Sequence, residues 1–310
     1  MEQKIRAVQI GCGPIGCAVA ELALQRPNIE LVGSIDIDKD KVGKDLGQVI
    51  GLDKRVGIAV SDDLDGILSG AGADVVFHHT SSSLKAVAPQ LKHLAELGVN
   101  VVSTTEELAY PYRYHPELAA EIDREARANQ VTILSTGVNP GYVMDTWPLS
   151  ITAVSQEVRK VKVVRIQDAS PRRLPFQKKI GAGRTTEEFQ KLVDAGTLRH
   201  VGLPESIAMV AAGLGWELDD ITETIEPIIA KERVQSQYIT VEPGQAAGVR
   251  QVGRGLRGGE EIITMEFEAY LGAPESYEAV YLTGTPNKEV IVKGGTHGDI
   301  ATAAIVVNAA

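Results

Sequence analysis

The run Gly11-Cys12-Gly13-Pro14-Ile15-Gly16 follows an apolar stretch, Ile5 to Ile10, and opens a second one rich in Ala and Leu. A strand, a glycine turn and a helix in that order form a cradle for a pyrophosphate. Gly11 permits the tight turn, Gly13 lets the backbone approach the phosphates, and Gly16 lets helix and strand pack closely. Pro14 and Ile15 belong to the same turn and are expected to contact the cofactor, whose pyrophosphate faces the positive end of the helix that follows. Asp36 stands twenty residues beyond Gly16, at the end of the next apolar run. A carboxylate there accepts the ribose hydroxyls of a dinucleotide and repels a 2′-phosphate. The expected cofactor is therefore NAD. Lys39 and Lys41 lie close enough to keep NADP use open.

Two further polar segments follow apolar runs: His78-His79-Thr80-Ser81 and Thr104-Thr105-Glu106-Glu107. In an open α/β sheet ligands bind outside the carboxyl ends of the strands. His79, Thr80, Ser81, Thr104 and Thr105 are thus expected to hold the cofactor, together with Asn139 of the turn Gly137 to Gly141. Either histidine is also a candidate acid–base. Glu106 and Glu107 have two readings, a helix-capping pair or a catalytic acid–base near the nicotinamide. The aromatic company of Tyr110, Tyr112 and Trp147 favours catalysis. No metal is expected.

These residues need a scaffold that puts their loops on one edge. Apolar strands are predicted at Ile5–Ile10, Glu30–Ile35, Asp74–His78, Asn100–Ser103 and Val131–Ser135, with a weak one at 57–60. Helices are predicted between them at Gly16–Gln25, Leu64–Leu68, Leu84–Leu97 and Pro116–Asn129. Such alternation implies a doubly wound parallel sheet, a Rossmann fold. After about Gly141 the pattern changes. Val158–Ile166 reads as a strand, Thr186–Ala195 and Pro204–Leu214 as helices. Alternating strands follow at Ile225–Val234, Ile239–Val241, Gly248–Leu256, Glu261–Tyr270 and Ala279–Thr283, the signature of a mostly antiparallel sheet. The fold class is α/β, with a C-terminal α+β domain. Residues 1–141 form the expected dinucleotide-binding domain, and the helix within 297–310 packs back on it. Residues 142–296 form the expected substrate-binding and dimerisation domain.

The net charge of −10 over 310 residues argues against nucleic acid and acidic membranes as partners, because both need a basic face. No apolar run reaches the ~18 residues that a membrane span requires. The two cysteines, Cys12 and Cys17, would close only a trivial loop, so reduced thiols in the cytoplasm are expected. The first residues pass directly into a strand, so no signal peptide is predicted.

The chain resembles the 2,4-diaminopentanoate dehydrogenases and related native amine dehydrogenases, within the dihydrodipicolinate-reductase-like superfamily. The resemblance rests on Val42 to Gly47, Glu106 to Pro111, Gly137 to Asp145, His200 to Ser206 and Gly294 to Asp299, five blocks in one order. It implies reversible conversion of a primary amine or diamino acid to a ketone plus ammonia, with NAD(P) as hydride carrier. It also implies that one glutamate of the pair is the acid–base, and that the enzyme is a homodimer. The substrate pocket is expected between the domains, near Asn139, Met144, Trp147, Arg165, Phe176, His200 and His297. Arg165 could equally face solvent from the sheet. Two alternatives stand beside this reading: a reductase or dehydrogenase of diacid substrates in the same superfamily, and a non-catalytic NAD sensor.

Overall fold

A computed structural model describes residues 4–310, and the chain divides into two units. The first runs to Gly141 and regains the chain at His297–Ala310. Its elements are β1 (Ile5–Ile10), α1 (Pro14–Leu24), β2 (Ile29–Ile35), α2 (Leu46–Val49), β3 (Val60–Ser61), α3 (Leu64–Ala71), β4 (Val75–His78), α4 (Leu84–Glu96), β5 (Asn100–Ser103), a 3-10 turn (Glu106–Leu108), α5 (Pro116–Ala128) and β6 (Ile133–Ser135). The strands lie in the order β3-β2-β1-β4-β5-β6, and every neighbouring pair is parallel. This is the predicted doubly wound sheet. Strands buried on both faces explain it: Val8, Ile10 and Val76 pack with Leu84, Leu91 and Leu94 of α4, while Ala7, Val75 and Phe77 pack with Val19, Ala20 and Ala23 of α1. The weak strand predicted at 57–60 shrinks to two residues. The Asp45 carboxylate takes the Gly47, Val56 and Gly57 N–H groups there, which curls the segment into a loop.

The second unit, Tyr142–Thr296, contains α6 (Thr146–Thr152), β7 (Glu157–Asp168), α7 (Leu174–Lys179), α8 (Thr186–Asp194), α9 (Leu203–Gly213), β8 (Asp220–Ile229), β9 (Val234–Gln235), β10 (Thr240–Val241), β11 (Ala246–Arg257), β12 (Glu260–Tyr270), β13 (Tyr277–Thr285) and β14 (Lys288–Lys293). Six strands pair in the order β14-β13-β7-β12-β11-β8, all antiparallel except β7 with β12. Helix α9 lies close on this sheet because Gly253 and Gly255 leave room: a Cβ on either would sit within 3.0 Å of Ile207. The helix predicted at Thr186 begins with a full capping box between Thr185 and Glu188. The long strand predicted over Ile225–Val234 is instead two pieces. The polar run Lys231-Glu232-Arg233 ends β8, and Val234–Gln235 pairs with Thr240–Val241 as a separate ribbon.

The last helix, α10 (Gly298–Asn308), returns to the first unit and packs on α1. Ala303, Val306 and Val307 close the cluster that α1 begins. Thr302 Oγ1 accepts the Val138 N–H at 3.2 Å. No helix among the described residues is long and apolar enough to cross a membrane.

Candidate active site

The loops of the first unit meet at the carboxyl ends of its strands, tied to each other by backbone hydrogen bonds. Gly11 donates to Ile35 O at 2.8 Å, His79 to Ile10 O at 2.9 Å, Thr104 to His78 O at 3.1 Å and Thr136 to Ser103 O at 2.8 Å. Each polar segment therefore continues the register of its strand.

The three glycines of the turn have three different reasons to be glycine. Gly11 has φ +85°, and a Cβ there would lie 2.4 Å from the His79 carbonyl oxygen. A Cβ on Gly16 would lie 1.9 Å from the Gly11 carbonyl oxygen. A Cβ on Gly13 would meet nothing within 4 Å. Gly13 is thus free of any internal packing demand, and its open side at the start of α1 fits the close approach of a pyrophosphate.

Asp36 follows β2 beside this turn. Its carboxylate accepts the Cys12 N–H at 2.8 Å, the Asp38 N–H at 2.9 Å and the Lys41 ammonium at 3.2 Å. Burial pushes its pKa up, but these donors outweigh burial and hold it below the ordinary value. An ionised carboxylate at the end of β2 fits a ribose diol.

The two histidines differ. His78 is fully buried, with Nδ1 3.0 Å from Ser103 Oγ and Nε2 2.9 Å from Gln90 Oε1 and 3.0 Å from Thr80 Oγ1. Burial lowers its pKa. Both ring nitrogens are committed to this internal network. His79 places Nδ1 2.9 Å from Thr104 Oγ1, while its buried Nε2 has no partner among the described residues. Burial, with a smaller effect of His78, pushes its pKa down to about 3, so the ring is neutral. A neutral imidazole with one free nitrogen fits a hydrogen bond to a bound ligand better than proton transfer near neutrality. Thr105 donates to Ser81 O at 2.9 Å, and Ser135 donates to Thr105 O at 2.7 Å, which locks the loops after β4, β5 and β6 together.

The acid pair occupies the 3-10 turn, and its members are not equivalent. Glu107 accepts the Leu84 N–H of α4 at 2.7 Å, and the same oxygen lies 3.4 Å from His115 Nε2. Its own N–H bonds to Ser82 O at 3.3 Å. Glu106 is half-buried, and its carboxylate has no hydrogen bond or ion pair among the described residues. Of the two acids, Glu107 thus holds the start of α4 and Glu106 does not. Beyond the turn Tyr110 and Tyr112 stack edge to face with ring centres 5.2 Å apart.

The expected pocket residues divide between the units. His297 caps α10 in the first; Met144, Trp147, Arg165, Phe176 and His200 belong to the second. Met144 is fully buried, and Trp147 and Phe176 half-buried. Arg165 does not face solvent. It is 2% exposed, lies 3.4 Å from Glu278 and donates to Thr296 O at 3.0 Å. Glu278 in turn accepts the Thr296 N–H at 2.9 Å and its hydroxyl at 3.1 Å, and Gln167 donates to Thr296 O at 2.9 Å. Burial lowers the Arg165 pKa, opposed by Glu278, to about 10, so the guanidinium keeps its charge near neutrality. His200 packs on Phe267 with ring centres 4.6 Å apart, and its buried Nδ1 has no partner among the described residues. Burial, reinforced by Lys179 and Arg165, pushes its pKa down to about 3. The Arg172 guanidinium lies over the Phe176 ring, 4.2 Å from its centre.

Sequence reading missed Gln167, Glu278 and Thr296, which build the polar floor around Arg165, and His115, which braces Glu107. A signal existed for Glu278: it interrupts the covered-face positions of an otherwise apolar strand, Val280 and Leu282.

The family of 2,4-diaminopentanoate dehydrogenase C-terminal domains matches residues 142–310, and the dihydrodipicolinate reductase N-terminal family matches residues 5–110. A 2,4-diaminopentanoate dehydrogenase from Acetoanaerobium sticklandii is 33% identical over 99% of this chain and 88% of its own. An amine dehydrogenase from Streptomyces virginiae is 22% identical over 95% of this chain and 86% of its own. The structure of an amine dehydrogenase from Mycobacterium smegmatis superposes with a TM-score of 0.84 at 26% identity, covering 99% of this chain and 91% of its own. With both halves matched and one relative similar from end to end, the chain belongs to the 2,4-diaminopentanoate dehydrogenase family.

Proposed function

We propose that this NAD(P)-dependent oxidoreductase interconverts a primary amine or diamino acid with the corresponding ketone and ammonia, with Glu106 as its acid–base. The observation that carries the assignment is the asymmetry of the acid pair. Glu107 is bound to Leu84 and His115, whereas the Glu106 carboxylate, on the same sheet edge as the glycine turn, has no partner among the described residues.

The first unit is the dinucleotide-binding domain. Gly11, Gly13, Pro14, Ile15 and Gly16 would hold the pyrophosphate, and Asp36 the ribose. His79, Thr80, Ser81, Thr104, Thr105 and Asn139 would line the nicotinamide end. The bound nicotinamide supplies the hydride acceptor in one direction and the donor in the other. The residues supply the rest. Glu106 takes the proton of the substrate ammonium, because only a neutral amine releases hydride. It passes that proton on to solvent, and the carboxylate so regenerated stabilises the cationic iminium carbon by its negative charge. It then takes a proton from the attacking water and returns one as ammonia leaves. Preference for NAD follows from the ionised Asp36.

The second unit is the substrate-binding domain, with Met144, Trp147, Arg165, Phe176 and His200 as its candidate substrate residues; His297 is a candidate on the first unit. It also supports a homodimer. The sheet face bearing Ile166, Tyr277 and Tyr281 also carries Lys162 and Arg250 among Glu266 and Glu268. A face with apolar centres and charges of both signs can pair with a copy of itself. The free thiols of Cys12 and Cys17 suit the cytoplasm.

A substrate panel tests the proposal: amines, diamino acids and diacid substrates, each with NAD and NADP. Amine-dependent reduction of the nucleotide with release of ammonia is expected. Turnover of a cyclic diacid imine without turnover of any amine would sink it.

A further inference from the structure

Lys41 holds a position between two carboxylates. Its ammonium lies 3.2 Å from Asp36 Oδ2 and 3.2 Å from Asp38 Oδ2. Asp36 is the more enclosed partner, with a side chain 10% exposed against 28% for Lys41 and 44% for Asp38. The hydrogen bonds to Asp38 and Asp36 outweigh burial and raise the Lys41 pKa, so the charge is secure near neutrality.

A carboxylate offers about four lone-pair sites. Three of those on Asp36 are taken, by Cys12 N–H, Asp38 N–H and Lys41. A ribose diol brings two hydroxyl donors, one more than the open site accepts. The weakest of the three existing bonds is the longest, the one from Lys41 at 3.2 Å, against 2.8 and 2.9 Å for the backbone donors. The backbone donors cannot leave without unfolding the turn, but Lys41 is a flexible side chain with a second carboxylate to retain it. A 2′-phosphate changes the balance. It meets the negative charges of Asp36 and Asp38, and Lys41 is the cation already seated between them.

Resting on the dinucleotide reading above, we propose that Lys41 sets the balance between NAD and NADP. It releases Asp36 to a ribose diol when NAD binds, and transfers from the carboxylates to the phosphate when NADP binds. Lys41 is thus a specificity residue that permits the phosphorylated nucleotide where Asp36 alone would reject it. For NAD it is a competitor, because it occupies an acceptor the ribose needs.

The two roles predict different effects on the two nucleotides, and binding alone reads them. Wild-type protein, Lys41→Ala and Lys41→Arg are titrated with NADH and with NADPH, following nicotinamide fluorescence without amine. Loss of one ion pair in a partly exposed site raises the NADPH Kd in Lys41→Ala by about tenfold. The NADH Kd stays level or falls, which also shows that the variant is folded. Lys41→Arg keeps the wild-type ratio. In wild type, rising salt weakens NADPH more than NADH, and Lys41→Ala removes that difference. An equal change in both dissociation constants, or none in either, overturns the proposal, as does wild-type protein that binds NADH and no NADPH. Binding of neither nucleotide to wild type overturns the dinucleotide reading itself, whatever Lys41 does.

Discussion

The Glu107 carboxylate accepts the Leu84 N–H at 2.7 Å, so the second acid of the pair holds the start of α4 while the first carries no such duty. Neutral amides at the two positions should therefore behave differently. Glu106→Gln should lower kcat for amine oxidation by about 10²–10⁴-fold, the usual share of a positioned acid–base, with little change in melting temperature. Glu107→Gln should lower stability by about 1–3 kcal/mol through the weakened charged hydrogen bond, and should keep a larger part of the activity. Paired kinetics and thermal melts read both. Full activity in Glu106→Gln alongside loss in Glu107→Gln would reverse the assignment.

The glycine turn gives a second contrast. Gly13→Ala meets nothing within 4 Å, so it should fold normally and yet bind NADH at least about tenfold more weakly, through its Cβ at the pyrophosphate. Gly11→Ala must hold φ +85° with its Cβ 2.4 Å from the His79 carbonyl oxygen. It should lose about 1–3 kcal/mol or more of stability from the strained backbone and clash, before any question of binding. Urea unfolding beside nucleotide titration separates the two; equal stability losses would count against the packing account.

Histidine burial sets a pH dependence of stability. His79 and His200 have folded pKa values of about 3 against 6.5 for the free side chain. Below pH 6.5 the unfolded chain binds protons that the folded chain refuses. The stabilisation is thus complete above pH 6.5 and is lost as pH falls toward the folded value. Each ring should account for about 1 kcal/mol between pH 7.5 and 5.5, from a limiting slope of about 1.4 kcal/mol per pH unit. His200→Gln should flatten its share, visible as a smaller shift in urea midpoint between those two pH values. An unchanged shift would mean that His200 is not held neutral.

Arg165 and Glu278 form an enclosed ion pair, 2% and 1% exposed. Arg165→Met or Glu278→Gln alone should cost about 3–5 kcal/mol, because each strands a buried charge, whereas the double apolar variant Arg165→Met with Glu278→Met should recover much of the loss. Denaturant unfolding of the three variants gives the cycle directly. Additive losses would show that the two side chains act independently.

Much of this molecule was legible beforehand where period and position coincide. The parallel sheet of the first unit reads from its apolar strands, because burial on both faces leaves no room for polar residues there. The glycine turn reads from its place between β1 and α1. What could not be read is what three dimensions decide. Glu106 and Glu107 are identical in type and adjacent in sequence, and only the approach of α4 assigns one of them to Leu84. Arg165 lies in a strand of alternating charge, Arg159, Lys160, Lys162, where solvent exposure is the natural expectation; Glu278, more than a hundred residues later, pairs with it inside. The strand Lys288–Lys293 escaped notice because charged residues end it and its hairpin partner alone determines its register.

The return of α10 to α1 has a consequence for how the chain is made. The cluster that α1 begins with Val19, Ala20 and Ala23 is closed by Ala303, Val306 and Val307, residues made some 280 positions after α1. The whole of Tyr142–Thr296 is synthesised in between. During translation the dinucleotide-binding half therefore waits, one helix short, until the whole of the second unit has been made. A nascent chain arrested before residue 298 should expose the apolar flank of α1, and completion of the last turns of α10 is the step that seals it.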